Sequence, residues 1–239
     1  MAALQDLQGS IRAVRALINL EAVYEDPPKP EERDTVAGLR GAIIVLVLAS
    51  FEGFLGTLFE EELDRIVDAK VPLTFYTEEL QASAIFASLE HATKGDHSTR
   101  GMKRAERIPD LMAAARAVAI GAFVPRAMSS TQSNPNSDCV NRMFKAVGRL
   151  SVLREIGPLF ELKWGIPVSV NHCVETLDAL VLSRNRVAHT ADSSHLLRTD
   201  LESSVRFIEV LAELLEADLK SHITGLIYRA VDLYRRQHA

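Results

Sequence analysis

Gly41-Ala42-Ile43-Ile44-Val45-Leu46-Val47-Leu48-Ala49-Ser50-Phe51 is a strongly apolar run, and after Glu52 it resumes as Gly53-Phe54-Leu55-Gly56-Thr57-Leu58-Phe59. Two readings compete for it. A membrane span needs about 20 largely apolar residues. A core helix of a globular bundle needs apolar surface without that uninterrupted length. Arg40 bounds the run, Glu52 interrupts it and Glu60-Glu61-Glu62 close it. The segment therefore reads as a buried central helix, with no membrane contact. A carboxylate inside such a helix needs a partner or a cleft. Glu52 is thus a candidate for a structural pair with a buried arginine or for the functional site.

The rest of the chain reads as helix on both sides. Alternation of period two never persists, and apolar positions recur at helical spacing. A first helix is expected over Ala2–Tyr24, with Leu4, Leu7, Ile11, Val14, Leu17 and Ile18 as its stripe. Asp26-Pro27-Pro28-Lys29-Pro30 breaks it, because proline cannot continue a helix and pushes its predecessor extended. The central helix is expected over Glu31–Ala69, its acidic start matching the helix dipole. Thr77 caps a third helix, Glu78–Thr93, and Pro109 opens a fourth that runs to Ile120. Gly121–Ser137 reads as a long loop, a length usually tied to function or mobility. A short helix over Asp138–Val147 stops at Gly148, and Gly157–Pro167 reads as turns with short helical pieces. Asn171 caps a helix over His172–Ala188. Thr199-Asp200-Leu201-Glu202 is a capping box, opening a last helix that runs past Gly225 to Arg236. No repeat and no linker divides residues 1–239, so one all-α domain with an elaborated middle region is expected.

Composition narrows the function classes. The chain has 239 residues, 47% hydrophobic and 25% charged, with a net charge of -5, which excludes disorder and a disulfide scaffold. That charge argues against nonspecific coating of nucleic acid, so any such site is local and salt-sensitive. Two cysteines fit a reducing compartment, and the first thirty residues lack a secretory pattern; a cytoplasmic location is expected. No cysteine or histidine pair has metal-ligand spacing beside His172-Cys173, and no glycine-rich phosphate loop or Gly-x-Ser-x-Gly motif is present. Neither a metal nor a cofactor is therefore expected.

Chemistry concentrates in Ser183-Arg184-Asn185-Arg186-Val187-Ala188-His189-Thr190, at a helix end just before the capping box. Arginine carries a permanent charge in a fork that fits phosphate oxygens. Histidine ordinarily titrates near pH 6.5 and serves as acid or base at neutral pH. Five residues of ideal helix turn through about 140°. Arg184 and His189 therefore meet only if the helix ends or distorts between them, or if one acts across a dimer interface. The plainer alternative is a helix C-terminus that carries two favourable cations.

Arg184-Asn185-Arg186-Val187-Ala188-His189 resembles the Arg-x4-6-His motif of ribonucleases in the HEPN superfamily (higher eukaryotes and prokaryotes nucleotide-binding). Leu39-Arg40-Gly41-Ala42 leading to Ala49-Ser50-Phe51-Glu52-Gly53-Phe54 is similar to the N-terminal helices of its RiboL-PSP-HEPN branch. Ser133-Asn134-Pro135-Asn136, leading into Val140-Asn141-Arg142-Met143-Phe144 and Gly148, is also similar to that branch. Thr190 stands where a glycine commonly follows the family histidine, a difference of loop geometry rather than chemistry. The resemblance implies a HEPN-like helical bundle that dimerises and brings two motifs into one cleft. It implies metal-independent RNA cleavage to 2′,3′-cyclic phosphate and 5′-hydroxyl ends, with Arg184 and His189 catalytic, often in a toxin–antitoxin or anti-phage system. Other members serve as non-catalytic binding or assembly modules.

Metal-free cleavage needs a base for the 2′-hydroxyl, an acid for the 5′-oxygen and positive charge on the phosphate. One histidine per protomer is half of that pair, and a homodimer supplies the other half. Asn185 is placed to orient the phosphate or the ring, and Glu52 is a further candidate for the cleft. Arg186 and the basic stretch Lys94, Arg100, Lys103 and Arg104 are candidate RNA contacts, without the aromatic residues of a stacking platform. RNA, a second copy of the chain and an antitoxin or defence protein are the expected partners.

Overall fold

The run at Gly41 lies inside α2, Arg33–Asp68, a helix of 36 residues preceded by a turn of 3-10 helix at Pro30–Glu32. By length and mean hydropathy, 2.2, α2 could cross a membrane, but half of the apolar window is buried within the protein. Ile43, Ile44, Val47, Leu48, Phe51, Phe54 and Leu55 are all buried. Their three- and four-residue spacing is that of one helix face. Each such side chain contributes on the order of 1.5–3 kcal/mol when fully removed from water, so α2 is a core helix, as its sequence predicts.

The computed structural model describes residues 2–94, 103–119, 122–131, 134–193 and 195–238, with no strand among them. Besides α2, the helices in chain order are α1 (Ala2–Glu21), α3 (Glu78–Lys94), α4 (Ile108–Ala119), α5 (Pro125–Met128) and α6 (Ser137–Lys145). They are followed by α7 (Val152–Glu155), α8 (Gly157–Trp164), α9 (His172–Thr190) and α10 (Arg198–His238). The fold is all-α.

Several local expectations meet their residues. The Leu80 N–H donates to Thr77 Oγ1 at the start of α3, which is the predicted cap. Gly148 has φ +91, a left-handed conformation that favours glycine. There the Arg149 N–H reaches back to the Phe144 carbonyl and closes α6. Others shift. The expected loop before Ser137 holds the one-turn α5, opened by Pro125 in its first turn. Asn171 stands before α9 but makes no side-chain cap. The last helix starts at Arg198, a residue ahead of the predicted capping threonine, with Leu197 O accepting from the Asp200 and Leu201 N–H groups.

The chain divides into two compact units. The first comprises Met1–Thr57, Thr131–Val140 and Val152–Glu216; the second comprises Leu58–Ser130, Asn141–Ser151 and Ala217–Ala239. In the first, Leu7, Ile11, Val14 and Ile18 of α1, Cys173, Leu177 and Val181 of α9, and Leu201, Val205, Ile208 and Leu211 of α10 are buried. Burial pushes the Cys173 thiol up to about 11, so it is a core residue rather than a nucleophile. In the second, Phe59 meets Phe144 edge to face at 5.1 Å. Arg149 holds Asp218 there with two hydrogen bonds of 3.1 and 2.5 Å.

Candidate active site

The motif occupies the last two turns of α9. The helix stays continuous through Arg184 and His189 to Thr190, so of the two expected ways for this pair to act together, an end or distortion between them does not hold. Two features carry it past His189. Thr190 Oγ1 donates to Arg186 O at 2.7 Å. Ala191 then turns left-handed, φ 55, and gives its N–H to Val187 O. With that continuity, Arg184 and His189 project about 140° apart on their own chain. His189 and Arg186 are exposed, while Arg184 and Asn185 are half-buried. Asn185 lies about 40° from His189 and Arg186 about 60°, so these two share its side of the helix.

The position of this helix end is set by α2. Gly41 faces Val187 so closely that a Cβ at residue 41 would lie 3.0 Å from Val187 Cγ1. Ser193 Oγ donates to Ala37 O at 2.6 Å, and Arg40 Nη1 donates to Leu196 O at 2.9 Å. The turn after His189 is thus stitched to one stretch of α2, residues 37–41. Gly41→Val is expected to cost about 1–3 kcal/mol by overpacking and to loosen residues 187–196. Urea denaturation and amide exchange of that segment check it; unchanged exchange there would mean that α2 does not hold the motif.

Arg40 belongs to a buried charge cluster. Its side chain is 7% exposed and that of Glu21 1%. Glu21 accepts from Arg40 Nε at 2.7 Å and from Arg198 Nε at 2.5 Å, while Asp26 accepts from Arg40 Nη2 at 3.0 Å. Arg198 also donates to Tyr24 O at 2.8 Å. Burial pulls the Arg40 pKa down, but hydrogen bonds to Asp26 and Glu21 and their charges raise it overall, so Arg40 remains a cation. This cluster leaves little mark in the sequence. Its trace is an arginine next to a glycine at the head of the apolar run, with a glutamate just before the proline break.

Glu52 is half-buried and accepts a 2.7 Å hydrogen bond from Thr131 Oγ1. It lies eleven residues beyond Gly41, about 16 Å along α2. Its partner in that bond is a loop threonine. Cys139 Sγ contacts Thr131 O at 3.3 Å, and Asn136 Oδ1 accepts from the Cys139 N–H. Asp178 of α9 accepts from both the Ser137 N–H and Oγ at 2.8 Å. A carboxylate at the first turn of α6 satisfies orphan N–H groups and the helix dipole. Glu52 thereby holds Thr131, and Asp178 holds Ser137.

Of the proposed RNA contacts, Lys103 is exposed. Arg100 and the side chains of Lys94 and Arg104 lie outside the described residues. Arg186 pairs with Asp192. No group of three or more metal-ligating side chains occurs among the described residues.

A helical bundle with an Arg-x4-His motif at the exposed end of one helix is the class of protein defined so far. The RiboL-PSP-HEPN family model matches residues 8–221, and the chain belongs to this family. No curated protein and no solved structure matches at a significant level. Membership points to an RNase-like or nucleotide-binding function.

Proposed function

We propose that this chain is a metal-independent endoribonuclease of a toxin–antitoxin or anti-phage defence system, active in the cytoplasm as a homodimer. The observation that supports it is the family's motif on the last turns of α9, with His189 exposed to solvent. In the reaction the 2′-hydroxyl oxygen attacks the adjacent phosphorus, and the bond from phosphorus to the 5′-oxygen breaks. One group takes the 2′ proton and another gives a proton to the departing oxygen, leaving a 2′,3′-cyclic phosphate and a 5′-hydroxyl. His189 performs one transfer and His189 of the partner subunit the other. Arg184, facing away from its own His189, holds the phosphate across the interface. Asn185 orients the phosphate or the ring. Glu52 acts through the loop at Thr131, and Lys94, Arg100, Lys103 and Arg104 contact RNA phosphates.

An interface on this side of α9 also accounts for Leu182, which is 71% exposed and within about 20° of His189 in helical phase. Leu182→Asp is expected to turn the dimer into a monomer in sedimentation velocity, with cleavage lost and helical content retained. A dimer that survives the change removes this face from the interface.

The test of the function is cleavage of RNA in EDTA, wild type against His189→Ala, with the product ends mapped. Cyclic-phosphate ends from the wild type alone are expected. A second reading, a non-catalytic HEPN interaction or nucleotide-binding module, draws on the divergence of Arg184 and His189 within one chain. It predicts ligand binding with no cleavage by either protein.

A further inference from the structure

Arg186 and His189 are three residues apart on an unbroken helix, a spacing that puts Cβ atoms about 5–6 Å apart on one side. The guanidinium of Arg186 is engaged by the carboxylate of Asp192, with side chains 52% and 34% exposed. This pair is built by the turn itself. The Asp192 N–H donates to Thr190 Oγ1 at 3.2 Å, and that hydroxyl donates to Arg186 O. The left-handed Ala191 reverses the chain, which brings residue 192 back over the turn that carries Arg186. The helix end thus folds an anion onto the arginine that shares a side with the histidine.

A carboxylate and a phosphodiester compete for the same donors, because both present two oxygens to the guanidinium fork. We propose that Asp192 is a specificity-determining residue: it occupies Arg186 until a nucleic-acid phosphate displaces it beside His189. This deepens the ribonuclease reading and rests on it for the identity of the ligand. Binding must break the ion pair and bring a phosphate close to the Asp192 charge, so only a phosphate held by further contacts succeeds. Asp192 therefore weakens binding of loosely placed RNA. Asn at residue 192 keeps the backbone bond to Thr190 and removes both the competition and the repulsion.

The test is binding of a mixed-sequence 2′-O-methyl RNA 20-mer, which lacks the attacking hydroxyl and is not cleaved. Affinities are measured over a salt series for wild type, Asp192→Asn, Arg186→Ala and the double variant. Asp192→Asn is expected to bind about threefold to fivefold tighter, the scale of an exposed ion pair. Its log–log salt slope is expected to steepen by about 0.7, one more phosphate contact on a single strand. In the Arg186→Ala background the same substitution is expected to lose most of that gain. No gain from Asp192→Asn, or an equal gain without Arg186, overturns the proposal. If this pattern holds while unmodified RNA is not cut, the ribonuclease reading fails and the role of Asp192 stands. If the wild type does not bind the oligonucleotide, both fall.

Discussion

His189→Ala is expected to lower RNA cleavage by about four orders of magnitude while the fold and the dimer persist. A single well-placed general acid or base contributes about 100- to 10,000-fold. In a composite site the substitution removes the base from one subunit and the acid from the other, so the upper end of that range applies. The cost to stability is small, because His189 is exposed in the last turn of α9 and fills no core volume. The measurement is the initial rate of product formation in EDTA, with thermal unfolding and sedimentation on the same preparations. Cleavage by the variant at the wild-type rate would move the catalytic group elsewhere.

Glu21→Gln is expected to have the largest effect on stability. Glu21 is the anion between Arg40 and Arg198, and its side chain is 1% exposed. Loss of its charge leaves two guanidinium groups facing each other, with Asp26 the remaining acid on Arg40. Removal of one partner from a buried ion pair costs about 3–5 kcal/mol. For a chain of this size that corresponds to a fall in Tm of roughly 6–20 °C. Urea denaturation and thermal melts read the change directly. A loss below about 1 kcal/mol would mean that water already screens the cluster. Because Arg40 also donates to Leu196 O, the destabilised variant is expected to lose amide protection first in the segment after His189.

Much of the fold is legible in the residues. The apolar face of α2, the proline break after α1 and the glycine stop after α6 each follow from local chemistry. So does the Arg-x4-His pattern, because residue type and spacing are properties of the chain itself. The end of α9 is different. Sequence placed it near Ala188, whereas the threonine after the histidine bonds back to Arg186 O and extends the helix to Thr190. The last helix likewise begins at Arg198, whose side chain is drawn to Glu21, 177 positions earlier in the chain. Partners that distant leave no local periodicity to read.

The sequence by itself determined that this is an all-α chain of the HEPN kind with an Arg-x4-His motif ending at residue 189, because helical periodicity and a short motif are local. Only the tertiary structure decided which groups surround that motif. It placed Gly41 against Val187, gave Arg40 to the loop after the histidine, tied Glu52 to Thr131 and set Asp192 on Arg186. Each of these rests on where two backbones cross or a turn reverses, a geometry fixed by packing and hydrogen bonding rather than by neighbours in sequence.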